Sequence, residues 1–551
     1  MRVVQAIAEI LKREGVEQLF AYPINPLIEA AADINIRPII ARSERPAINM
    51  ADAVSRMTSG RQVGVFCMQA GPGTENAFPG VAQAFSESVP LIVIPGGSAR
   101  GQSWVTPAFN AALNYRNVTK WSEQLTVGSA VVAAMRRAFT QARNGRPGPV
   151  LLEVPGDVWN EEVAEPLIYE PTSRARFGPD APAVDAAARV LIEAERPLIY
   201  AGQGVHYAEA WEELRRLAEL LEIPVTTSLE GKSAFPENHP LSLGSGGVAM
   251  PLSVHRHVQE ADVILGVGCS FTATGFGIRF PTAGKTFIHA TIDPMDVNKN
   301  IPAQHALIGD AKLTLAALYE AASERLGGKP RGIREQVAAK IKTQKGEWME
   351  KWMPKLTAND TPLNPYRVIW DLLHTVDVPN TIITHDAGSP RDQLSPFWEA
   401  VAPLSYIGWG KTTQLGYGLG LTMGAKMARP DKLCVNFWGD AAIGMTGMDF
   451  ETAVRERIPI LSILSNNFSM AMEMPAMRIS DAKYNTTDIS GNYADFAKAL
   501  GGYGERVTAP SEIVPAIKRG IAETLAGRPA LLEFITQKEI EYSTFRGEGY
   551  G

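Results

Sequence analysis

Two short polar pairs near the C-terminal end of the chain have the residue types and spacing of a site for a metal ion and a phosphate. Gly439-Asp440 is followed by 25 residues and then by Asn466-Asn467. Carboxylate and carboxamide oxygens are hard ligands that suit Mg²⁺, which commonly combines one or two carboxylates with phosphate oxygens of a ligand. The Gly-Asp pair alone would be more typical of an ordinary turn in which Asp caps a helix, but the second pair at this separation favours a magnesium site.

The elements around these pairs must bring them together. The apolar runs 433–438 and 458–465 have the composition of buried strands, and residues 445–457 between them have the pattern of one amphipathic helix. A strand–helix–strand unit of this kind is right-handed and places both strand ends at the same edge of a parallel sheet. Open α/β sheets bind their ligands at that edge, so we expect both pairs to line one site.

Composition excludes several functional classes. The 551 residues carry a net charge of −6, and 45% of them are hydrophobic, as in an ordinary globular protein of two to four domains. Nothing in this balance favours nucleic acid or an anionic membrane as partner. Residues 1–20 have the pattern of an amphipathic helix rather than of a signal peptide, and Cys67, Cys269 and Cys434 lack disulfide or metal spacing. We therefore expect a cytoplasmic protein with buried, reduced thiols.

Strand and helix patterns alternate along the whole chain, which predicts an α/β fold of three Rossmann-like or flavodoxin-like domains with doubly wound parallel sheets. We place these domains at residues 1–170, 185–330 and 355–540, followed by a tail, 541–551, that is either a mobile flap or a frayed end. The predicted strands are 37–41, 63–68, 91–96 and 149–155 in the first domain, 197–202, 224–228, 261–268 and 285–293 in the second, and 381–386, 433–438, 458–465 and 530–536 in the third.

The spacing of the two polar pairs resembles the motif that binds thiamine diphosphate (ThDP). Nearly the whole chain is similar to the acetolactate synthase/pyruvate decarboxylase superfamily of ThDP-dependent enzymes. This resemblance implies a pyrimidine-binding, a middle and a diphosphate-binding domain, with ThDP and Mg²⁺ as cofactors. It also implies that Asp440, Asn467 and the backbone carbonyl of Ser469 are the metal ligands.

The segment 39–60 resembles the part of the family that carries its essential glutamate, which falls here at Glu44. By resemblance, the Glu44 carboxyl group forms a hydrogen bond with N1′ of the ThDP aminopyrimidine and assists its proton transfers. The usual family histidine before this glutamate is replaced by Ser43. Without the resemblance, Glu44 would be interpreted as a surface residue after a strand.

Two further segments resemble cofactor-binding loops. In 408–426, Leu415 takes the position of the apolar residue beneath the cofactor, and the carbonyl of Thr413 that of the acceptor for its 4′-amino group. In the loop that follows the predicted strand 381–386, Gly388 and Ser389 are the candidates for binding the diphosphate, because Gly and Ser at strand ends commonly hold phosphate.

The diphosphate motif departs from the family pattern at two positions. Gly439, Asp440 and Asn467 match it, but Ala441 replaces a glycine and Ala442 replaces a common serine. Since alanine resists positive φ, this loop must adopt a conformation that alanine tolerates. The missing hydroxyl predicts weaker retention of ThDP rather than loss of binding.

The residues that select the reaction are less clear. No histidine precedes His206, and Gln69 lies near the position of a catalytic histidine in some related decarboxylases. This absence favours carboligation over simple release of an aldehyde. Asn110 replaces a family glutamine of the substrate pocket, and Glu473 is either a pocket acid or an exposed helix residue.

Within the middle domain, residues 268–277 lack the Arg/Asp pattern of the FAD-contacting segment of acetolactate synthases. We therefore expect no FAD, whereas ADP or CoA remains open. The leading interpretation is an acetolactate synthase-like lyase or transferase, a carboligase that acts on a 2-oxo acid. The alternatives are a 2-hydroxyacyl-CoA lyase or oxalyl-CoA decarboxylase-like enzyme acting on an acyl-CoA, and a non-catalytic ThDP-binding relative. The resemblance further implies a homodimer or homotetramer with active sites at the subunit interface.

Overall fold

Residues 1–546 of the computed structural model form three sheets, each of six parallel strands with helices on its faces. This confirms the predicted α/β fold class. The strands are β1 (Gln18–Ala21), β2 (Arg37–Ile40), β3 (Gly64–Met68), β4 (Leu91–Gly97), β5 (Trp121–Gln124), β6 (Pro149–Pro155), β7 (Pro197–Ala201), β8 (Val225–Ser228), β9 (Ser242–Gly246), β10 (Val263–Val267), β11 (Thr286–Thr291), β12 (His305–Ile308), β13 (Thr381–His385), β14 (Tyr406–Ile407), β15 (Leu433–Gly439), β16 (Leu461–Asn466), β17 (Tyr503–Val507) and β18 (Ala530–Ile535).

The helices cover the faces of these sheets and join consecutive strands. They are α1 (Val3–Arg13), α2 (Leu27–Asp33), α3 (Glu44–Met57), α4 (Pro72–Ser86), α5 (Ala111–Asn114), α6 (Val131–Arg143), α7 (Ala181–Glu193), α8 (Gly204–Ala208), α9 (Trp211–Leu221), α10 (Leu252–Glu260), α11 (Ala311–Leu326), α12 (Arg334–Leu356), α13 (Pro365–Leu373), α14 (Ser389–Leu394), α15 (Tyr417–Ala428), α16 (Asp440–Thr446), α17 (Phe450–Arg455), α18 (Arg478–Tyr484), α19 (Tyr493–Ala499) and α20 (Ile513–Leu525).

The first and third sheets share one topology. Their strand orders are β2-β1-β3-β4-β6-β5 and β14-β13-β15-β16-β18-β17, which are the same order when each set is numbered from its own first strand. The middle sheet has the order β12-β11-β10-β7-β8-β9, which is the Rossmann order. The outer domains are therefore structural equivalents, and the middle domain is of another type.

The sequence did not predict six of the strands, and five of these, β5, β9, β12, β14 and β17, lie at sheet edges. Edge strands need not carry a continuous apolar run: β5 is the sequence WSEQ with no fully buried residue, β9 is the Gly- and Ser-rich SLGSG, and β14 has only two residues. The sixth, β1, overlaps the end of the range that the sequence predicts as the N-terminal helix, residues 1–20. That helix ends at Arg13, and a turn at Gly15, with φ of 80°, leads into β1.

The prediction of one helix over 445–457 is wrong. Helix α16 ends at Thr446, a 3₁₀ turn spans Gly447–Asp449, and α17 follows. The hydroxyl of Thr446 donates to the carbonyl of Gly416 at 2.9 Å, and Asp449 accepts from the backbone N–H of Arg42 at 2.8 Å. These tertiary bonds, together with the low helix propensity of glycine, interrupt the helix.

The outer domains pack together through helices α3 and α15. Two glycines of α15 allow this close approach, since a Cβ at Gly424 would lie 2.2 Å from the carbonyl oxygen of Met50, and one at Gly420 would lie 2.5 Å from Cβ of Asn49. A Cβ at Gly420 would also contact Pro46, near the start of α3, and one at Gly424 would contact Ala53, nearer its end, so the two helices run in the same direction. The N-terminal ends of the two helices are therefore close together, and each carries residues of the candidate site.

The part of the predicted tail that the structure describes, residues 541–546, is not a frayed end. Trp348 donates to the hydroxyl of Ser543 at 2.8 Å, and the ring of Phe545 stacks on that of His255 with 4.5 Å between centroids. Residues 547–551 lie outside the described part of the chain. None of the helices in residues 1–546 has both the length and the apolar character needed to cross a bilayer.

Candidate active site

Ten of the predicted site residues line a single pocket at the carboxyl ends of the third sheet. These are Gly388, Ser389, Leu415, Gly439, Asp440, Ala441, Ala442, Asn467, Ser469 and Glu473. They come from the ends of β13, β15 and β16 and from the loop before α15. The parallel register pairs Gly439 with Ser465, which places the ends of the two strands next to each other. The expected juxtaposition of the two polar pairs is therefore present.

Asp440 is the centre of the polar part of this pocket. One carboxylate oxygen accepts from the N–H of Ala441 at 2.9 Å, and the other accepts from those of Asn467 at 3.2 Å and Ser469 at 3.1 Å. Burial raises the pKa of Asp440 to about 6, and the backbone donors partly oppose that effect. The Asn467 side-chain oxygen accepts from the N–H of Ser469 at 2.9 Å. These bonds fix the carboxylate and carboxamide oxygens beside each other, which is the donor set that Mg²⁺ prefers.

Ala441 causes no strain where the family pattern has glycine. Helix α16 begins at Asp440, so Ala441 lies in its first turn with an ordinary right-handed conformation. The expectation that this loop avoids positive φ is met by the early start of the helix. Ala442 is buried in the pocket wall and contributes no hydroxyl there.

Two of the loops that line the pocket are joined by Asp386, a buried residue that sequence analysis did not single out. Its carboxylate accepts from the N–H groups of Ala387 at 2.8 Å, Gly416 at 2.9 Å and Gly418 at 3.1 Å. It therefore ties the loop after β13 to the loop before α15. Gly388, in the first of these loops, has φ of 75°, a conformation that favours glycine.

Leu415 lies in the second loop and borders the pocket. The guanidinium of Arg45 donates to its carbonyl oxygen at 2.5 Å, so the N-terminal end of α3 helps to fix this loop. Thr413 is half-buried in the same loop but does not line the pocket. Among the described residues, no backbone donor bonds to the carbonyl oxygen of Thr413.

Glu44 is the first residue of α3, is only 3% exposed and lies outside this pocket. Burial raises the pKa of its carboxyl group, and a hydrogen bond with Asn76 partly opposes that effect. Gly73 leaves room for this group, since a Cβ there would lie 3.3 Å from Oε1 of Glu44 and 2.8 Å from Cγ of Gln69. The structure thus brings Glu44 and Gln69 together in the first domain. The neighbouring residue Arg45 contacts Leu415 of the third domain, although Glu44 itself does not line the pocket.

Comparisons with known proteins assign this arrangement to a family. Residues 1–109 match the family described as "Thiamine pyrophosphate enzyme, N-terminal TPP binding domain", residues 184–318 match its central domain, and residues 386–534 match its C-terminal TPP binding domain. Thiamine pyrophosphate is another name for ThDP. The chain belongs to the ThDP-dependent enzymes.

Three similar proteins of this family are named as acetolactate synthase large subunits. The chain is 30% identical to a probable acetolactate synthase large subunit of Methanocaldococcus jannaschii, over 97% of this chain and 92% of the relative. It is 30% identical to the acetolactate synthase large subunit of Corynebacterium glutamicum, over 98% and 87%. It is 26% identical to the acetolactate synthase isozyme 3 large subunit of Escherichia coli, over 95% and 93%. These matches support the predicted superfamily.

Two predicted residues of this ThDP-dependent enzyme are exposed. Asn110 caps helix α5, where its side-chain oxygen accepts from the N–H of Leu113 at 2.8 Å. Glu473 ends the 3₁₀ turn Ala471–Glu473 on the wall of the pocket. Gln537 and Glu539, which follow β18, line the same pocket but were not predicted. They could have been identified from the polar residues that follow the last predicted strand, because the end of that strand lies at the same edge of the sheet as the other candidate residues.

A second cavity, of about 550 Å³, lies between the middle domain and both outer domains. Most of residues 268–277 line it, together with Gly202, Arg174 and Lys411. Cys269 belongs to this wall and is half-buried, whereas the other two cysteines are fully buried as predicted. The Nε atom of Arg174 is buried without a hydrogen-bond partner, which fits an anionic group in the cavity.

Proposed function

We propose that this protein is a ThDP- and Mg²⁺-dependent carboligase that decarboxylates a 2-oxo acid and joins the remaining acyl unit to a second carbonyl compound, as an acetolactate synthase does. The observation that carries the proposal is the pocket in which Asp440, Asn467, Ser469 and Leu415 meet. The similar proteins named acetolactate synthase support the same reaction class.

The residues of the pocket fit the cofactor. Asp440, Asn467 and the carbonyl of Ser469 would hold Mg²⁺, and the loop with Gly388 and Ser389 would bind the diphosphate. When bound, ThDP supplies the carbanion-stabilising chemistry that allows a 2-oxo acid to lose CO₂ and to react with a second carbonyl group. Leu415 would support the cofactor from below and exclude water from the reacting atoms.

Glu44 would hold and move a proton at N1′ of the aminopyrimidine. Its burial favours the protonated form, which can donate a hydrogen bond to a ring nitrogen. In a single chain Glu44 lies outside the pocket, so we propose that the pocket of one chain is completed by Glu44 of a second copy. Exposed apolar side chains follow both polar pairs, Met445 and Met448 after the first and Ile479 after the second, and fit burial in such an interface.

The second cavity favours one alternative. A 2-hydroxyacyl-CoA lyase or oxalyl-CoA decarboxylase-like enzyme requires space for an adenine nucleotide in the middle domain. The cavity provides that space, and Arg174 and Lys411 provide positive charge. We expect ADP or CoA rather than FAD there, because residues 268–277 lack the charged pattern expected for flavin contact.

Product analysis separates the two candidates. Purified protein with ThDP and Mg²⁺ would be given pyruvate in one reaction and 2-hydroxyisobutyryl-CoA in another, with Glu44→Gln protein as the control. Acetolactate from pyruvate alone supports the carboligase. Formyl-CoA and acetone from the thioester alone would overturn it in favour of the acyl-CoA lyase, and no turnover of either substrate would contradict both.

A further inference from the structure

A loop without helix or strand, residues 408–416, connects the two cavities of the molecule. Lys411 lines the cavity of the middle domain, and Leu415 lines the pocket of the third domain. Irregular backbone of this kind is held in one conformation only by bonds from its surroundings. The bonds that hold this loop come largely from another domain.

The last turn of helix α4, in the first domain, binds the beginning of the loop. Glu87 is completely buried, and its Oε1 accepts from the N–H groups of Gly410 at 3.2 Å and Lys411 at 2.9 Å. The same oxygen accepts from the side-chain amide of Gln83 at 3.3 Å. One carboxylate therefore fixes two consecutive peptide groups of the loop.

Gln83 extends this contact along the loop. Its side-chain oxygen accepts from the hydroxyl of Thr412 at 2.7 Å and from the N–H of Gln414 at 3.4 Å. At the far end Asp386 accepts from the N–H of Gly416 at 2.9 Å. The stretch between these anchors contains Thr413 and Leu415, the two residues of the loop that are expected to face the cofactor.

We propose that Glu87 is a positioning residue for ThDP, which acts through loop 408–416 by fixing where Leu415 and the carbonyl of Thr413 lie. The inference rests on the proposed function, because the position of the loop matters to ThDP only if this pocket binds it. Glu87 does not line the pocket itself, so its effect on the cofactor is transmitted by the backbone.

The protonation of Glu87 gives this role a signature. Burial, together with the charge of nearby Glu230, raises its pKa to about 7, although Lys411 and Arg56 oppose the change. Tyr207 and Tyr417 lie near enough to interact electrostatically with this carboxyl group. Its second oxygen, Oε2, is buried without a hydrogen-bond partner. Charged acceptors form stronger hydrogen bonds than neutral ones. Ionisation of Glu87 above about pH 7 therefore strengthens its hydrogen bonds with the backbone N–H groups of Gly410 and Lys411.

Calorimetric titration of ThDP in the presence of Mg²⁺ tests the inference at about pH 6 and about pH 8. Glu87→Ala leaves two buried N–H groups without an acceptor, and we expect ThDP affinity to fall about tenfold or more at both pH values. Glu87→Gln resembles the protonated carboxyl group. It should bind ThDP as the wild type does at the lower pH and show a smaller gain in affinity than the wild type at the higher pH; the gain that remains reflects Asp440, whose pKa is about 6.

The matched control is Glu14→Gln, a change of another buried carboxylate in the same domain, which pairs with Arg143 far from the loop. It should follow the wild type at both pH values.

If Glu87→Ala does not fold, Gln83→Met removes the bond to Gln414 N–H and should weaken ThDP binding in the same direction by a smaller factor. Unchanged affinity in Glu87→Ala, or in folded Gln83→Met, would overturn the inference alone. Failure of the wild type to bind ThDP would instead contradict the proposed function and the inference with it.

Discussion

The first and third domains have the same strand order, yet their equivalent positions carry different residues. The third strand of each sheet, β3 and β15, ends beside Gln69 in one domain and beside Asp440 in the other. The helix after the second strand begins with a buried acid, Glu44, in α3, whereas α15 begins after Leu415 and Gly416. One topology thus provides two sets of loop positions, and the side chains at those positions decide what each domain can do.

This difference separates two chemical tasks. The third domain holds a fixed carboxylate and carboxamide that suit a metal and a diphosphate, and the first domain presents a buried acid with a raised pKa. The first domain has Gln69 at the position equivalent to Asp440, and helix α15 of the third domain does not begin with an acid as α3 does. A complete site in the proposed function needs one domain of each kind.

The largest effect is expected from the acid of the first domain. Glu44→Gln keeps the size of the side chain but removes its proton, so turnover of pyruvate should fall by about 10²- to 10⁴-fold, as is usual for loss of a general acid–base group. ThDP binding and the melting temperature should change little. Glu17→Gln, an exposed change in the same domain, is the control. A Glu44→Gln protein with full activity would contradict the assigned task.

The next effect concerns the proposed metal site of the third domain. Asp440→Asn replaces the carboxylate by a neutral amide, and ThDP affinity in the presence of Mg²⁺ should fall about tenfold or more, equivalent to about 1.4 kcal/mol. Calorimetric titration with and without Mg²⁺ measures the change. Asp431→Asn, at an exposed ion pair with Arg429 in the same domain, should bind ThDP normally. If both variants bind equally well, Asp440 is not a metal ligand.

A smaller gain is expected at the pocket wall. Ala442→Ser would restore a hydroxyl beside the diphosphate and should tighten ThDP binding by about 0.5–1.5 kcal/mol. Ala441→Gly restores the other family residue but should give no gain, because Ala441 already has a helical conformation and glycine weakens a helix. Equilibrium binding of ThDP to both variants checks this order, and a gain only in Ala441→Gly would reverse it.

A further effect, on stability rather than on activity or ThDP binding, is a pH dependence that arises where the two domains meet. The carboxyl of Glu87 ionises near pH 7 in the folded protein, against an ordinary value of 4.5. Between these values the unfolded chain binds fewer protons than the folded one, so the free energy of unfolding should fall as pH rises from about 4.5 to about 7 and change no further from this group. Denaturant unfolding of Glu87→Gln should lack this decline; an identical decline in both proteins would assign it to other groups.

The sequence was sufficient for the fold class and, with the resemblance, for most of the pocket. Continuous apolar runs such as those of β15 and β16 predict a parallel sheet. The polar pairs at the ends of these two strands predict the edge of the sheet at which ligands bind. Strands such as β5 and β17 could not be predicted, because an edge strand needs little apolar surface. The break between α16 and α17 also escaped prediction, since it depends on bonds from Thr446 to Gly416, 30 residues away.

The roles of Asp386 and Glu87 were missed for the same reason. Each binds backbone N–H groups of a loop distant in sequence, and backbone donors leave no pattern of side chains to detect. Conversely, Glu44, Gln69 and Asn110 were selected by resemblance, and the structure places them outside the pocket of their own chain. Their roles remain predictions, and for Glu44 the prediction rests on the proposed sharing of a site between two chains.

The most direct test of this division of tasks combines two inactive variants. Glu44→Gln and Asp440→Ala chains with different affinity tags would be expressed together, and mixed oligomers isolated by sequential purification on both tags. If one chain supplies Glu44 to the pocket of another, each mixed dimer contains one site with both native residues, and carboligation of pyruvate should return while both homo-oligomers stay inactive. If mixed oligomers form but remain as inactive as the parent variants, the two domains do not share a site across chains, and the account is contradicted.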